Sequence, residues 1–456
     1  MKRNRTLAAV TLVAAAALVL GACGSSDGGS GGSSSGGGDS SASTTSDGGG
    51  ETPLEGTLTM VTKFADPKYA PYFEGVVADY EAKNPGVTIE LEQVGDQPYK
   101  DKIRVLSASG ELPDIYFSWA GDFANKFVRA GLAADLTSVI APDTEWGSTF
   151  APAALKAFEY DGQYFGVPIN LDGKYMAYNK KVFEEAGVTA PTTLDELLQA
   201  CDAIKAKGVT PIAFGNQFGW PAIHYITQLN AMNVPTDVLA ADYTPASGVF
   251  ADPGYVASLQ QFSDIINRCA TPDANGLAHE AAQAEFLSGQ AAMQFIESVE
   301  FPVLTADGGA PADVAENWGF FRLPPAAGAA GDVNALTGAP DGFMVNAKSE
   351  NQPLAIDFLQ FFSSQENAAK MVAELGWLSP ILGSVTAENA FPQLTETLDD
   401  MNTASNFAIW LDTVTHAEVA SAYLSGVEGM LSGTLTPEQV MQGVQAAAEK
   451  AKESVN

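Results

Sequence analysis

Strand-like and helix-like segments alternate along residues 51–456, and this alternation narrows the accessible folds more than any other feature of the chain. Gly56–Thr62 reads as a strand carrying Leu58 and Met60, Tyr72–Asn84 as a helix closed by Pro85-Gly86, and Val87–Glu92 as the next strand. Pro98–Ser109 reads as helical, and Ile115–Phe117 as a short buried strand ending at Trp119. Repeated strand-then-helix order is the signature of an α/β architecture. Helix punctuation agrees: Thr193 with Glu196 three residues later predicts a capping box, Gly208 the matching C-terminal end, and Thr436-Pro437 with Gln439 the start of the last helix. No repeat of fixed period is present, which argues against solenoids and propellers. About 400 residues exceed what one hydrophobic core usually serves, so two domains are expected.

The residues before this region specify a location. Lys2, Arg3 and Arg5 precede an uncharged apolar run from Leu7 to Leu20, which is followed by Gly21-Ala22-Cys23. The run is short for a membrane span, and small residues at its end suit cleavage, so residues 1–22 are expected to be a secretory signal peptide. The segment resembles a bacterial lipoprotein signal, in which Cys23 would become the acylated N-terminus, palmitate included, and anchor the protein on the cell membrane. Gly24 to Gly50 contains only Gly, Ser, Asp, Thr and Ala. Such a segment has no apolar surface to offset its ordering entropy and forms a tether with a reach on the order of 30 Å.

Charge and missing motifs remove several function classes. The chain has 23 basic and 55 acidic side chains, a formal net charge of −32. That balance argues against nucleic acid and anionic ligands and favours a solvated acidic surface. There is no C-x-x-C, H-E-x-x-H, Walker A loop or strand-linked G-x-G-x-x-G. His224, His279 and His416 are too scattered to suggest a metal site, and no catalytic residue, metal or cofactor is expected. After Cys23 only Cys201 and Cys269 remain, compatible with one disulfide in an oxidising compartment or with two separate buried thiols.

Four segments, in order, resemble the family 1 solute-binding proteins of ABC importers, the family that includes maltodextrin receptors. They are Pro113–Thr137 (PDIYFSWAGDFANKFVRAGLAADLT), Gly162–Gly208 with its Gly-Val-Pro, Tyr-Asn-Lys and Pro-Thr-Thr elements, Phe286–Glu300 (FLSGQAAMQFIESVE), and Gly338–Ala368 followed by Gly376–Pro380 (GWLSP). The resemblance implies a type II periplasmic-binding-protein-like fold: two α/β lobes joined by an interlobe hinge, with ligand held in the cleft. Carried onto this chain, lobe one would be 51–169 and 321–375, and lobe two 170–320 and 376–456, with Pro168–Asp172 and Phe320–Pro324 crossing between them. The implied function is a lipid-anchored, monomeric receptor that delivers a neutral oligosaccharide to the transmembrane permease subunits of an importer.

Sugars present hydroxyls and apolar C–H faces, so their sites combine aromatic rings with carboxylates and amides. By match to the family, Trp119, Asp122, Asp172 and Trp410 are expected to touch ligand. Trp220, Glu297, Asp341 and Trp377 are expected in loops that the fold would bring to the cleft. Around Glu297 the chain departs from the family, carrying ESVEF where Gly then Trp usually follow Ala-Met, so maltose specificity does not transfer directly. The alternatives are a receptor for a peptide, polyamine or iron, and a secreted carbohydrate-active enzyme.

Overall fold

The computed structural model describes residues 54–455, so the leader, Cys23 and the tether lie outside the described residues. Among the described residues nine strands form the two main sheets: β1 (Glu55–Thr62), β2 (Gly86–Gln93), β3 (Ile115–Trp119), β4 (Val167–Pro168), β5 (Lys174–Asn179), β6 (Thr210–Ala213), β7 (Ala291–Glu297), β8 (Trp318–Phe321) and β9 (Asp341–Val345). The first sheet runs β2-β1-β3-β9-β4 and the second β8-β5-β7-β6. In the first, β1 is parallel to β2 and β3, whereas β9 is antiparallel to β3 and β4. In the second, β5 is antiparallel to β7 and β8, and β6 is parallel to β7.

The central strands are covered on both faces. All five residues of β3 are buried, as are six of the seven in β7, and such strands read as continuous apolar runs rather than alternating ones. Helices Ala70–Lys83, Gln352–Phe362 and Gln365–Leu375 pack by the first sheet, over a core that includes Phe73, Phe117 and Phe343. The second sheet is served by two clusters, one around Tyr225, Phe262 and Tyr423 and one around Tyr175, Ile296 and Trp318.

Local signals worked as expected at the helix ends. Thr193 and Glu196 form a reciprocal capping box on the Leu194–Lys205 helix. Thr436 and Gln439 exchange equivalent bonds, backbone N–H to side-chain oxygen in each direction. The third strand continues past Phe117 to include Trp119, because β9 pairs with it in register as far as Asp341 opposite Trp119. Cys201 on the Leu194–Lys205 helix and Cys269 at the end of the Pro253–Cys269 helix are fully buried and disulfide-bonded, with Cα atoms 5.3 Å apart.

The chain passes from the first sheet to the second through residues 169–173 and returns through 322–340. These passages are tied to their neighbours: Ile169 N–H donates to Asp341 O (2.9 Å), Leu171 N–H to Leu378 O (2.7 Å) and Asp341 N–H to the Asn170 side chain (2.7 Å). The ties bring the carboxyl ends of β1 and β3, the start of β9 and the end of β7 to one place.

Candidate functional site

At that place lies a cavity of about 540 Å³. Open α/β sheets bind ligands outside the carboxyl ends of their strands, where loops rather than backbone ladders supply the walls. Lys63 directly follows β1, Trp119 ends β3 and Asp341 begins the antiparallel β9, so sheet topology alone converges these three residues on one wall. The facing wall carries Asp172 just before β5, Glu297 at the end of β7, Trp220 and His224 on the Trp220–Asn233 helix, and Trp410.

Seven of the eight residues singled out from sequence therefore line one cavity. Asp122 does not. Gly121, at φ +84°, turns the chain away after β3, and the helix Asp122–Arg129 then aligns residues seven positions apart on one face. Arg129 takes both Asp122 oxygens (Nη1 to Oδ1 2.6 Å, Nη2 to Oδ2 3.1 Å), and the pair lines a separate cavity of about 520 Å³. Its carboxylate is engaged in a bidentate ion pair, so the structure sets Asp122 apart from the other seven residues.

The four tryptophans differ in what they can offer. Trp377 is 2% exposed, packs its ring 4.9 Å from Tyr69 and 5.3 Å from Phe64, and donates Nε1–H to Val299 O at 3.1 Å. Those contacts make it a wall of the cavity anchored in the first core. Trp119 has the Lys63 ammonium 4.8 Å from its ring centre. Trp220 is only half-buried and lies 4.9 Å from the Lys174 ammonium. Trp410 stacks on the His224 imidazole, with ring centres 4.2 Å apart.

Several charges in the walls meet opposite charges. Lys63 Nζ lies 3.4 Å from Asp341 Oδ2 and 3.6 Å from Asp96 Oδ1. Burial alone would lower the Lys63 pKa, but Asp341, Asp96 and Glu297 outweigh it and raise it. The fully buried Lys174 sits 3.4 Å from Glu297 Oε1 and 4.0 Å from Glu300 Oε2, while His279 Nε2 meets Glu300 Oε1 at 2.6 Å. Burial works against ionising Glu297, yet Lys174, His224 and Lys63 hold its carboxyl well below the usual range. Asp172 behaves oppositely: burial and the neighbouring Glu297 charge push it well up, although Ser298 Oγ donates to its Oδ1 at 2.7 Å. Burial and Glu297 likewise raise Asp341 to about 6, against the pull of Lys63. Burial and Lys174 lower His224, leaving a neutral imidazole at neutral pH.

Sequence reasoning missed Lys63, His224, His279, Glu300 and Asp412, which line the same cavity. Signals existed for three of them. His224 falls one helical turn after Trp220, Glu300 lies inside the ESVEF departure, and Asp412 follows Trp410 by two residues. The two histidines are scattered in sequence but meet carboxylates from a single segment, Glu297 and Glu300. Among the described residues no group of three or more His, Cys, Asp or Glu is placed to hold a metal ion.

Known proteins resemble this chain in sequence and fold. The model of the bacterial extracellular solute-binding protein family matches residues 66–369. A protein of Brucella abortus named as a binding protein is 27% identical over 330 residues, 71% of this chain and 76% of its own length. The maltotriose-binding protein of Pyrococcus abyssi is 27% identical over 324 residues, 70% of this chain and 65% of that protein. A solved chitin oligosaccharide binding protein superposes with a TM-score of 0.79 at 26% identity, covering 88% of this chain and 99% of that one. These relatives and structural neighbours are binding proteins rather than enzymes. With two strand-paired sheets, a cavity at their strand ends and a family match over more than half its length, the chain belongs to the bacterial extracellular solute-binding protein family.

Proposed function

We propose that the protein is the substrate receptor of an ABC importer and binds a neutral oligosaccharide in the cavity between the two sheets. One observation carries this reading: the cavity has tryptophan rings on both walls, and its carboxylates Asp96, Glu297 and Glu300 each lie within 4.0 Å of a lysine ammonium of the protein. Ammonium groups already stand against Trp119 and Trp220, so a cationic ligand would meet rings whose attraction for positive charge is in use. A polyhydroxyl ligand needs apolar faces and groups that donate and accept hydrogen bonds, and this lining supplies both. The names of the Pyrococcus maltotriose-binding and the chitin oligosaccharide binding relatives support the same ligand class.

In this reading the two sheets are the centres of two lobes, 51–169 with 321–375 and 170–320 with 376–456, that close over ligand about the 169–173 and 322–340 passages. Acylated Cys23 and the Gly/Ser tether hold the receptor, as a monomer, at the outer face of the membrane near its permease subunits. Calorimetry against malto-, xylo- and chito-oligosaccharides tests the ligand class, with chromatography of the recovered sugar. Micromolar or tighter binding of an unchanged oligosaccharide is expected, about −8 kcal/mol. Hydrolysed product, or binding of a peptide or cation and of no sugar, overturns the proposal.

A further inference from the structure

Two buried polar atoms in the cavity wall have no hydrogen-bonding partner within the protein. Asp412 belongs to the short helix Leu411–Val414, which is fixed in place because Leu411 N–H donates to Thr227 Oγ1 at 3.0 Å and Val414 N–H to Trp410 O at 2.8 Å. Its Oδ1 is buried and receives no bond. His224 is 6% exposed, and its Nδ1 lies 3.2 Å from Glu297 Oε1 but out of line for a hydrogen bond, so it too is unpartnered. The imidazole cannot swing away, because Trp410 stacks on it and Trp220 packs 5.1 Å from its centre. The same helix, Trp220–Asn233, supplies His224 and, through Thr227, the anchor for the segment of Asp412. Trp410, which stacks on the His224 ring, stands two residues before Asp412, and the side chains of both His224 and Asp412 line the one cavity.

An unpaired buried acceptor and an unpaired buried ring nitrogen in one cavity wall are costly in a folded chain unless something supplies the missing bonds. A carboxylate accepts only, and a neutral imidazole can donate through one nitrogen. Together they match a group that donates and accepts at once, which is the character of a hydroxyl and not of an ammonium or a carboxylate ligand.

We propose that Asp412 and His224 form the specificity-determining pair of the cavity, with Asp412 Oδ1 accepting from, and His224 Nδ1 donating to, a hydroxyl of the bound sugar. This rests on the sugar-binding reading above and adds the residues that select for hydroxyl position.

The test uses the tightest-binding trisaccharide of the panel and its monodeoxy derivatives, with the parent, Asp412→Ala, Asp412→Asn and His224→Ala. Asp412→Ala is expected to weaken binding of the intact trisaccharide on the order of ten- to a hundredfold. One monodeoxy derivative should bind the parent weakly, and for that derivative alone the difference between parent and Asp412→Ala should vanish, because both changes remove the same bond. If the alanine variant fails to fold, His224→Ala carries the same comparison, because it removes the donor to the same hydroxyl, while Asp412→Asn, whose amide oxygen still accepts, should lose less than Asp412→Ala. An equal loss for every derivative, or no loss at all, overturns the pair while leaving sugar binding intact. Failure of the parent to bind any sugar of the panel overturns the sugar-binding reading and this pair with it.

Discussion

Lys63 and Asp341 join the end of β1 to the start of β9 across the strand between them, with Nζ 3.4 Å from Oδ2. The pair places a compensated charge at the cavity wall where Trp119 stands, and it sets a pH dependence. Asp341 has its pKa raised from 3.8 to about 6, mainly by burial. Between those values the folded state holds more protons than the unfolded one, so this group's contribution to stability falls as pH rises through about 4 to 6 and stays at its minimum above. The parent should therefore lose roughly 3 kcal/mol relative to Asp341→Asn across that window, the worth of about two pKa units. Melting of both proteins from pH 4 to pH 8 checks this; a constant difference between them contradicts it.

Trp220 and Trp377 line the same cavity but should respond differently to removal. Trp220 is half-buried, so Trp220→Ala should weaken binding of the best sugar by about 2 kcal/mol while changing the melting temperature little. Trp377 is embedded among Phe64, Tyr69 and Phe73, so Trp377→Ala should lower stability by about 3–5 kcal/mol. Calorimetry and denaturant unfolding on both variants distinguish the cases; a Trp220→Ala variant with parental affinity removes Trp220 from the site.

The Cys201–Cys269 bond closes a sequence separation of 68 residues. On the chain-entropy account, replacing both cysteines by serine should cost about 4 kcal/mol. Because both sulfurs are buried in the core by the second sheet, the loss should appear in urea midpoints at unchanged ligand stoichiometry.

Asp122 and Arg129 should matter for stability and not for ligand. Asp122→Ala leaves a half-buried guanidinium without its bidentate partner and should cost about 1–3 kcal/mol. Sugar affinity should match the parent, and a parallel loss of affinity would return Asp122 to the ligand site.

Cys23→Ser tests the anchor. If Cys23 carries the acyl chains, the variant should appear in the culture medium while the parent fractionates with membranes. Equal membrane retention of the two proteins counts against lipidation.

Much of this architecture could be read from local sequence because its causes are local. The capping boxes at Thr193–Glu196 and Thr436–Gln439 involve groups three residues apart, and the buried strand at Ile115 announces itself by an uninterrupted apolar run. Trp119, Asp172 and Trp410, which the matched family segments point to, all line the cavity. Tertiary structure decided the rest. Which cavity Asp122 lines depended on the sign of φ at Gly121 and on an arginine two turns away. Whether Cys201 met Cys269 depended on two helices packing side by side over one sheet. His224, Lys174 and Lys63 carry no motif, since what makes them part of the site is the set of opposite charges and rings that only the folded chain brings within 5 Å. Sequence by itself determined which segments would be strands, helices and caps, because hydrogen bonding and side-chain periodicity act over a few residues. Folding determined which charges are compensated and which polar atoms are left for a ligand, because those are properties of neighbours distant in the chain.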